Sequence, residues 1–194
     1  MLDLGYGDAE FGLELIKQGC SFYEGVEGPL NMVQKAVSVL DYTASKIQHS
    51  SMETWDFPQE QYDLVVSRLA LHYLEDLEFV FKQVYCSLKV DGQFVFSVQH
   101  PILTSSVQSA TKSARADWKA DDYFHTGKRI EPWNEKEVVK YHRTIEEYFK
   151  ELKRAGFKLE EINECSPRLE NFKSEEEYRR RMRIPLFLVF ACSK

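Results

Sequence analysis

The 194-residue sequence lacks the marks of several large protein classes. Its four cysteines, Cys20, Cys86, Cys165 and Cys192, lie far apart with no C-x-x-C pair. That argues against a disulfide framework or a zinc ribbon and suits free thiols in a reducing compartment. No apolar run approaches the roughly 20 residues of a membrane span. The longest, Ile184 to Cys192, contains Pro185 and reads as a buried strand. No basic segment followed by an apolar one opens the chain, so the expected location is cytoplasmic, with no membrane partner. An excess of basic residues is also missing: the formal net charge is -6, which weighs against a nucleic-acid surface. There is no H-E-x-x-H metal signature, no G-x-S-x-G nucleophile turn and no G-x-x-x-x-G-K-[ST] phosphate loop. No metal is expected.

What is present is a globular balance, with 43% hydrophobic and 29% charged residues. Strand and helix patterns alternate from the first residue. Met1–Leu4 reads as a strand, Ala9 to Gln18 as a helix ended by Gly19, and Ser21 to Val26 as a second strand. A helix follows Pro29, then a weak strand at Lys46 to His49 and a strong one at Tyr62 to Ser67. The spacing predicts a helix over Glu75 to Leu88, a turn at Asp91–Gly92 and a strand from Gln93 to Val98. Thr144 to Ala155 reads as a helix capped by Gly156, and Phe157 to Ile162 with Pro185 to Cys192 as an antiparallel pair. This is an α/β pattern with a mostly parallel sheet. The polar, aromatic stretch from Pro101 to Lys140, with Trp118, Tyr123, Phe124 and Trp133, breaks the rhythm and reads as a substrate lid inserted in a single domain, 1–194. The run Arg179–Arg180–Arg181–Met182–Arg183 follows Glu175–Glu176–Glu177 and reads as an exposed helix of mixed charge.

Two features combine into a nucleotide-type half-site. Asp3–Leu4–Gly5–Tyr6–Gly7 sits between a strand and a helix, and Glu27 closes the next strand. Glycines there permit positive φ and a close ligand approach, and the carboxylate can accept from both ribose hydroxyls. Leu2 to Asp8 resembles the first motif, D-x-G-x-G-x-G, of class I S-adenosylmethionine-dependent methyltransferases, with Ala9 in place of the last glycine. Gly25–Val26–Glu27–Gly28–Pro29–Leu30–Asn31–Met32 is similar to that family's ribose-binding segment, and Ser50–Ser51–Met52–Glu53 to its adenine-side loop. Ser67–Arg68–Leu69–Ala70–Leu71–His72–Tyr73 resembles the segment after the fourth strand, and Leu88 to Phe94 the turn into the fifth. Phe96 to Pro101, Lys140 to Thr144 and Arg183 to Leu188 extend the resemblance to a small-molecule subgroup.

The resemblance implies a Rossmann-like, doubly wound seven-stranded sheet whose last strand is antiparallel. It implies S-adenosylmethionine as cofactor, methyl transfer to a small-molecule acceptor, and cofactor contacts from Asp3, Gly5, Tyr6, Gly7, Glu27, Gly28, Met32, Ser51, Met52, Glu53, Ser67, Arg68 and Leu69. The amides of Gly5 and Gly7 are expected to approach the methionine part, with Asp3 fixing the loop from below. His72, His100 and His142 are the candidate bases; packing or capping is the competing role for each. His142 and Arg143 together suit neutralisation of an acidic substrate group. Family members usually carry a helix before the first motif, whereas Met1 stands inside the first strand. A truncated, non-catalytic binding module is therefore an alternative, as is a protein or RNA methyltransferase.

Overall fold

The short apolar strand β1 (Leu2–Leu4) is buried along its whole length and pairs in parallel with β2 (Tyr23–Glu27) on one side and β4 (Tyr62–Arg68) on the other. β3 (Ser45–His49) lies outside β2, and β5 (Leu88–Gln99) lies parallel beyond β4. A computed structural model describes residues 1–40, 43, 45–106, 118–133 and 136–194. In it β9 (Phe187–Ser193) runs antiparallel between β5 and β8 (Lys158–Asn163), giving the seven-stranded order β3-β2-β1-β4-β5-β9-β8. The winding reverses between β1 and β4, so their carboxyl ends open the crevice where such sheets bind ligands.

The helices start and stop where their sequences cap them. Asp76 accepts from Phe79 N–H (2.9 Å) at the start of α3 (Leu77–Ser87). Thr144 and Glu147 form a reciprocal capping box on α5 (Ile145–Ala155), and Gly156 ends it at φ 108°. α1 (Glu10–Lys17) and α2 (Leu30–Val39) complete the first half. The larger core cluster includes Leu2, Leu4, Val65, Phe81, Phe94, Phe96, Tyr148 and Phe190; a second gathers Tyr6, Ala9, Tyr23, Ala36 and Leu40. Phe96 stacks on Phe94 and on Phe190, with centroids 4.9 Å apart in each pair. Each such buried ring contributes on the order of 1.5–3 kcal/mol of burial.

Two expectations are corrected. The turn at Asp91–Gly92 lies within β5, which begins at Leu88. Tyr62 pairs with Leu88 but Leu64 with Gln93, so the extra residues form a bulge with Asp91 at φ 62°. The stretch 101–140 is also more regular than its composition suggested. A short helix α4 (Pro101–Thr104) opens it, and a hairpin of β6 (Gly127–Trp133) and β7 (Lys136–His142) closes it. Residues 107–117 and 134–135 lie outside the described ones. The hairpin escaped notice because it is inside out: Arg129, Glu131, Lys140 and His142 share its sheltered face, while Ile130 and Val139 are exposed on the other. The helix α6 (Glu175–Arg181) has the expected mixed charge, with Arg179 on Glu175 at 2.7 Å.

Candidate active site

The loop after β1 is held by its own glycine amides. Gly5 (φ +72°) donates to Val26 O (2.8 Å), and Gly7 (φ +65°) donates to Glu27 Oε2 (2.7 Å). Both amides expected to face the ligand are therefore already engaged. A Cβ at Gly7 would meet nothing within 4 Å, so the open face there is the glycine's own α-carbon. Gly5 is the opposite case: a Cβ would lie 2.4 Å from Ala70 Cβ and 2.8 Å from Met52 Cε. The loops after β1, β3 and β4 thus converge at Gly5, bringing Met52 and the segment after Leu69 to one place.

Glu27 is buried at the end of β2; its other oxygen accepts from Gly28 N–H at 3.0 Å. Burial raises its pKa, against the lowering effect of the two amide hydrogen bonds. Asp3 does not fix the loop directly. Its Oδ2 accepts from the Tyr23 hydroxyl (3.0 Å), while Oδ1 has no partner among the described residues. Burial pushes the Asp3 carboxyl up to about 6. The loop is tied instead by Ser67 Oγ–H, which donates to Leu4 O at 2.7 Å. The Tyr6 ring packs in the smaller core cluster against Gly25, so only its backbone borders the crevice. Met32 is half-buried in the first turn of α2. Ser51 and Glu53 lie on the loop after β3, where Glu53 N–H donates to Ser51 Oγ (3.2 Å). Arg68 is exposed with its guanidinium 4.0 Å from the Phe11 ring centroid. Leu69 holds a strained φ of 54° and donates to Ser97 O at 2.9 Å.

The histidines separate by environment. His100 caps α4: Ile102 N–H donates to Nδ1 (3.1 Å), which leaves the proton on Nε2 for Glu164 (3.1 Å). His142 donates from Nε2 to Tyr123 O (2.9 Å) and accepts at Nδ1 from Thr104 Oγ1–H (2.8 Å). Burial lowers the pKa of both. His72, on the 3₁₀ turn Leu71–Tyr73 after β4, is 1% exposed, and neither ring nitrogen has a partner among the described residues. Burial, with Lys140 and Arg143 adding to it, lowers its pKa to about 3.

The expected pairing of His142 with Arg143 on a substrate is corrected by geometry. Arg143 donates to Leu74 O (3.1 Å) and Glu75 O (2.6 Å) and reaches Glu151 at 3.5 Å, so it clamps the chain after the 3₁₀ turn. Lys140, which sequence reasoning missed as a site residue, is 2% exposed. It donates to Gln99 Oε1 (3.0 Å), pairs with Glu131 and lies 6.0 Å from the Tyr73 ring centroid. Little in the sequence signals it: Lys128–Arg129 and Val138–Val139 interrupt any period-two alternation of charged and apolar residues.

The site invites one pH test. His72 has a folded pKa near 3, below its ordinary 6.5, so its neutral burial stabilises the fold fully above pH 6.5. That contribution is lost as pH falls toward 3. Asp3 has the opposite sign, because its raised pKa favours the fold below 3.8 and loses that contribution as pH rises through 6. Denaturant melts of the wild type and His72→Phe cancel the Asp3 effect. Between pH 6.5 and 4.5 the wild type should lose up to about 2 kcal/mol relative to the variant. A pH-independent difference would show that His72 is not held neutral.

Residues 1–162 match the family model described as "Methyltransferase domain". The chain belongs to this family. It is similar to an S-adenosylmethionine dependent methyltransferase from Mesorhizobium loti, 30% identical with a TM-score of 0.91, covering 100% of this chain and 89% of that one. It also shares the fold of a Haemonchus contortus phosphoethanolamine N-methyltransferase in complex with S-adenosyl-L-methionine (15% identity, TM-score 0.72, 100% of this chain and 48% of that one). A malonyl-[acyl-carrier protein] O-methyltransferase from Acetivibrio thermocellus is 24% identical over 92% of this chain, which spans 64% of that relative's length. The methyltransferase uses S-adenosylmethionine, and the residues present fit that cofactor: a carboxylate at the end of β2, and an unobstructed glycine α-carbon at the end of β1. Among the described residues, no helix is long and apolar enough to cross a membrane, and no metal-binding cluster is found.

Proposed function

We propose that the methyltransferase acts on a small molecule held between the 3₁₀ turn and the hairpin, with residues 101–140 as its lid. The observation that carries this is the sheltered polar face formed by His72, Gln99, Glu131 and Lys140 beyond β4 and β5. Removing that much polar surface from water is costly unless the groups meet partners, and His72 meets none among the described residues. An enclosed face of this kind suits a small acceptor better than an extended macromolecule does.

Glu27, Gly28 and Met32 would border the ribose, Ser51, Met52 and Glu53 the adenine side, and Gly5 and Gly7 the methionine part. Ser67 and Leu69 hold these loops in register through Leu4 O and Ser97 O, with Asp3 behind them on Tyr23 and Arg68 on Phe11. The bound cofactor supplies an activated methyl group. The protein orients the acceptor and excludes water. A His72 imidazole with a pKa near 3 takes up a proton poorly at neutral pH, but it can donate or accept a hydrogen bond. It therefore suits a nucleophile that arrives deprotonated, such as a carboxylate oxygen or a free amine. The Acetivibrio relative is named for O-methylation of malonyl-[acyl-carrier protein], whose malonyl end has that chemistry although it is borne on a carrier protein. Free thiols at Cys20, Cys86, Cys165 and Cys192 suit a reducing, cytoplasmic setting.

The test is S-adenosylhomocysteine formation when the enzyme meets separated low-mass, protein and RNA fractions. Turnover is expected with the low-mass fraction. His72→Phe should lower it about tenfold, the worth of one hydrogen bond to the acceptor, with cofactor affinity unchanged. Turnover that requires the protein or RNA fraction, or none with any fraction, would overturn the reading.

A further inference from the structure

A cavity of about 750 Å³ opens at the β8–β9 end of the sheet, within the roughly 300–1,000 Å³ typical of small-ligand sites. Phe187, which lines it, pairs directly with Gln99, the residue that accepts from Lys140. Directly paired residues on antiparallel strands project to one face, so the cavity lies one strand beyond the proposed acceptor cluster. β9 is three strands from β1, about 14 Å at ordinary strand spacing, so the cavity is distinct from the cofactor crevice.

Its chemistry is one-sided. Arg168 and Arg181 line it together with Asn163 and Asn171, over an apolar floor that includes Phe172 and Ile184. No Asp or Glu lines it among the described residues, in a chain whose net charge is -6. The nearby Glu164 is turned to His100 (3.1 Å), and Glu175 to Arg179 (2.7 Å). Neither cavity guanidinium has a hydrogen-bonding or ionic partner among the described residues. The walls are built rather than incidental. Asn171 N–H donates to Arg168 O (3.0 Å), closing the 3₁₀ turn that carries Arg168 to the rim. The Phe172 ring packs on Tyr178 with centroids 5.8 Å apart, joining that loop to α6 and bringing Arg181 across. Arg181, half-buried at the end of α6, faces the cavity.

We propose that this cavity binds an organic anion, a phosphate or carboxylate carried on an apolar body, with Arg168 and Arg181 as paired recognition residues. Two guanidiniums converge on an oxygen anion with charge-assisted hydrogen bonds, and the aromatic and aliphatic floor takes the apolar body. The placement beside Gln99 extends the acceptor-side reading: the anion is the distal end of the methyl acceptor, or a separate effector with the same chemistry.

The experiment uses phenyl phosphate, benzoate and the neutral comparator benzyl alcohol, followed by amide chemical shifts and calorimetry on the full chain without turnover. Phenyl phosphate should bind saturably, with shifts centred on 163–172 and 181–187. Arg168→Gln and Arg181→Gln should each weaken it about tenfold while melting like the wild type, and salt should weaken it further. S-adenosylhomocysteine should bind alongside it. Competition between the probe and an active low-mass fraction in the turnover assay assigns the anion to the acceptor; modulation of turnover without competition assigns it to an effector. No saturable binding up to about 10 mM, equal binding of benzyl alcohol, unchanged affinity in both variants, or displacement by S-adenosylhomocysteine would overturn the proposal. A failure of turnover with the low-mass fraction alone would count against the acceptor reading and leave this binding result standing.

Discussion

Replacing Glu27 by alanine is expected to weaken S-adenosylhomocysteine binding roughly 100- to 1,000-fold, about 3–4 kcal/mol. Each carboxylate oxygen already accepts one amide, from Gly7 at 2.7 Å and from Gly28 at 3.0 Å. Each still has a lone pair for a ribose hydroxyl. The two amides aim the carboxylate before the ligand arrives, so little ordering remains to be done on binding. Glu27→Gln keeps the shape and one oxygen acceptor but loses the charge, and should fall between, about tenfold weaker than wild type. Calorimetry on the three proteins decides the matter. Unchanged affinity in Glu27→Ala would remove Glu27 from the cofactor site.

Gly5→Ala should be the most damaging single methyl in the molecule's cofactor loop, lowering stability by about 4 kcal/mol. The new Cβ would stand 2.4 Å from Ala70 Cβ and 2.8 Å from Met52 Cε, at a φ of +72°. Met52 can shift its flexible end, but Ala70 can yield only by moving backbone. The left-handed conformation adds about 1–2 kcal/mol for any residue with a Cβ. For a chain of this size the melting temperature should fall by about 10 °C. Gly7→Ala is the control. Its φ is +65° but its added Cβ meets nothing, so only the conformational cost remains, about 1–2 kcal/mol, while cofactor affinity drops through crowding of the open face. Equal melting losses in the two variants would refute the distinction drawn between these glycines.

The amino-acid sequence by itself determined the features whose causes are local. The strand–G-x-G–helix–strand–acid spacing from Asp3 to Glu27, the capping box at Thr144 and Glu147, and the Gly156 stop depend on backbone conformation and neighbours a few residues away. Alternating apolar strands and amphipathic helices likewise mark an α/β fold with a mostly parallel sheet, because burial of apolar faces is a short-period signal; the strand order β3-β2-β1-β4-β5-β9-β8 is a tertiary feature. The remainder depends on which distant residues meet. Tyr23 reaches Asp3, Arg143 reaches the carbonyls of Leu74 and Glu75, and Glu164 reaches His100; none of these pairs is marked by spacing. The β6–β7 hairpin was hidden because its sheltered face carries Arg129, Glu131, Lys140 and His142, whereas hydrophobic patterning assumes that polar residues face water. The same limit applied to the three candidate histidines, which are chemically alike in sequence. Only tertiary packing left His72 buried without a partner among the described residues while binding both nitrogens of His100 and His142, because partners for a buried polar group come from across the fold.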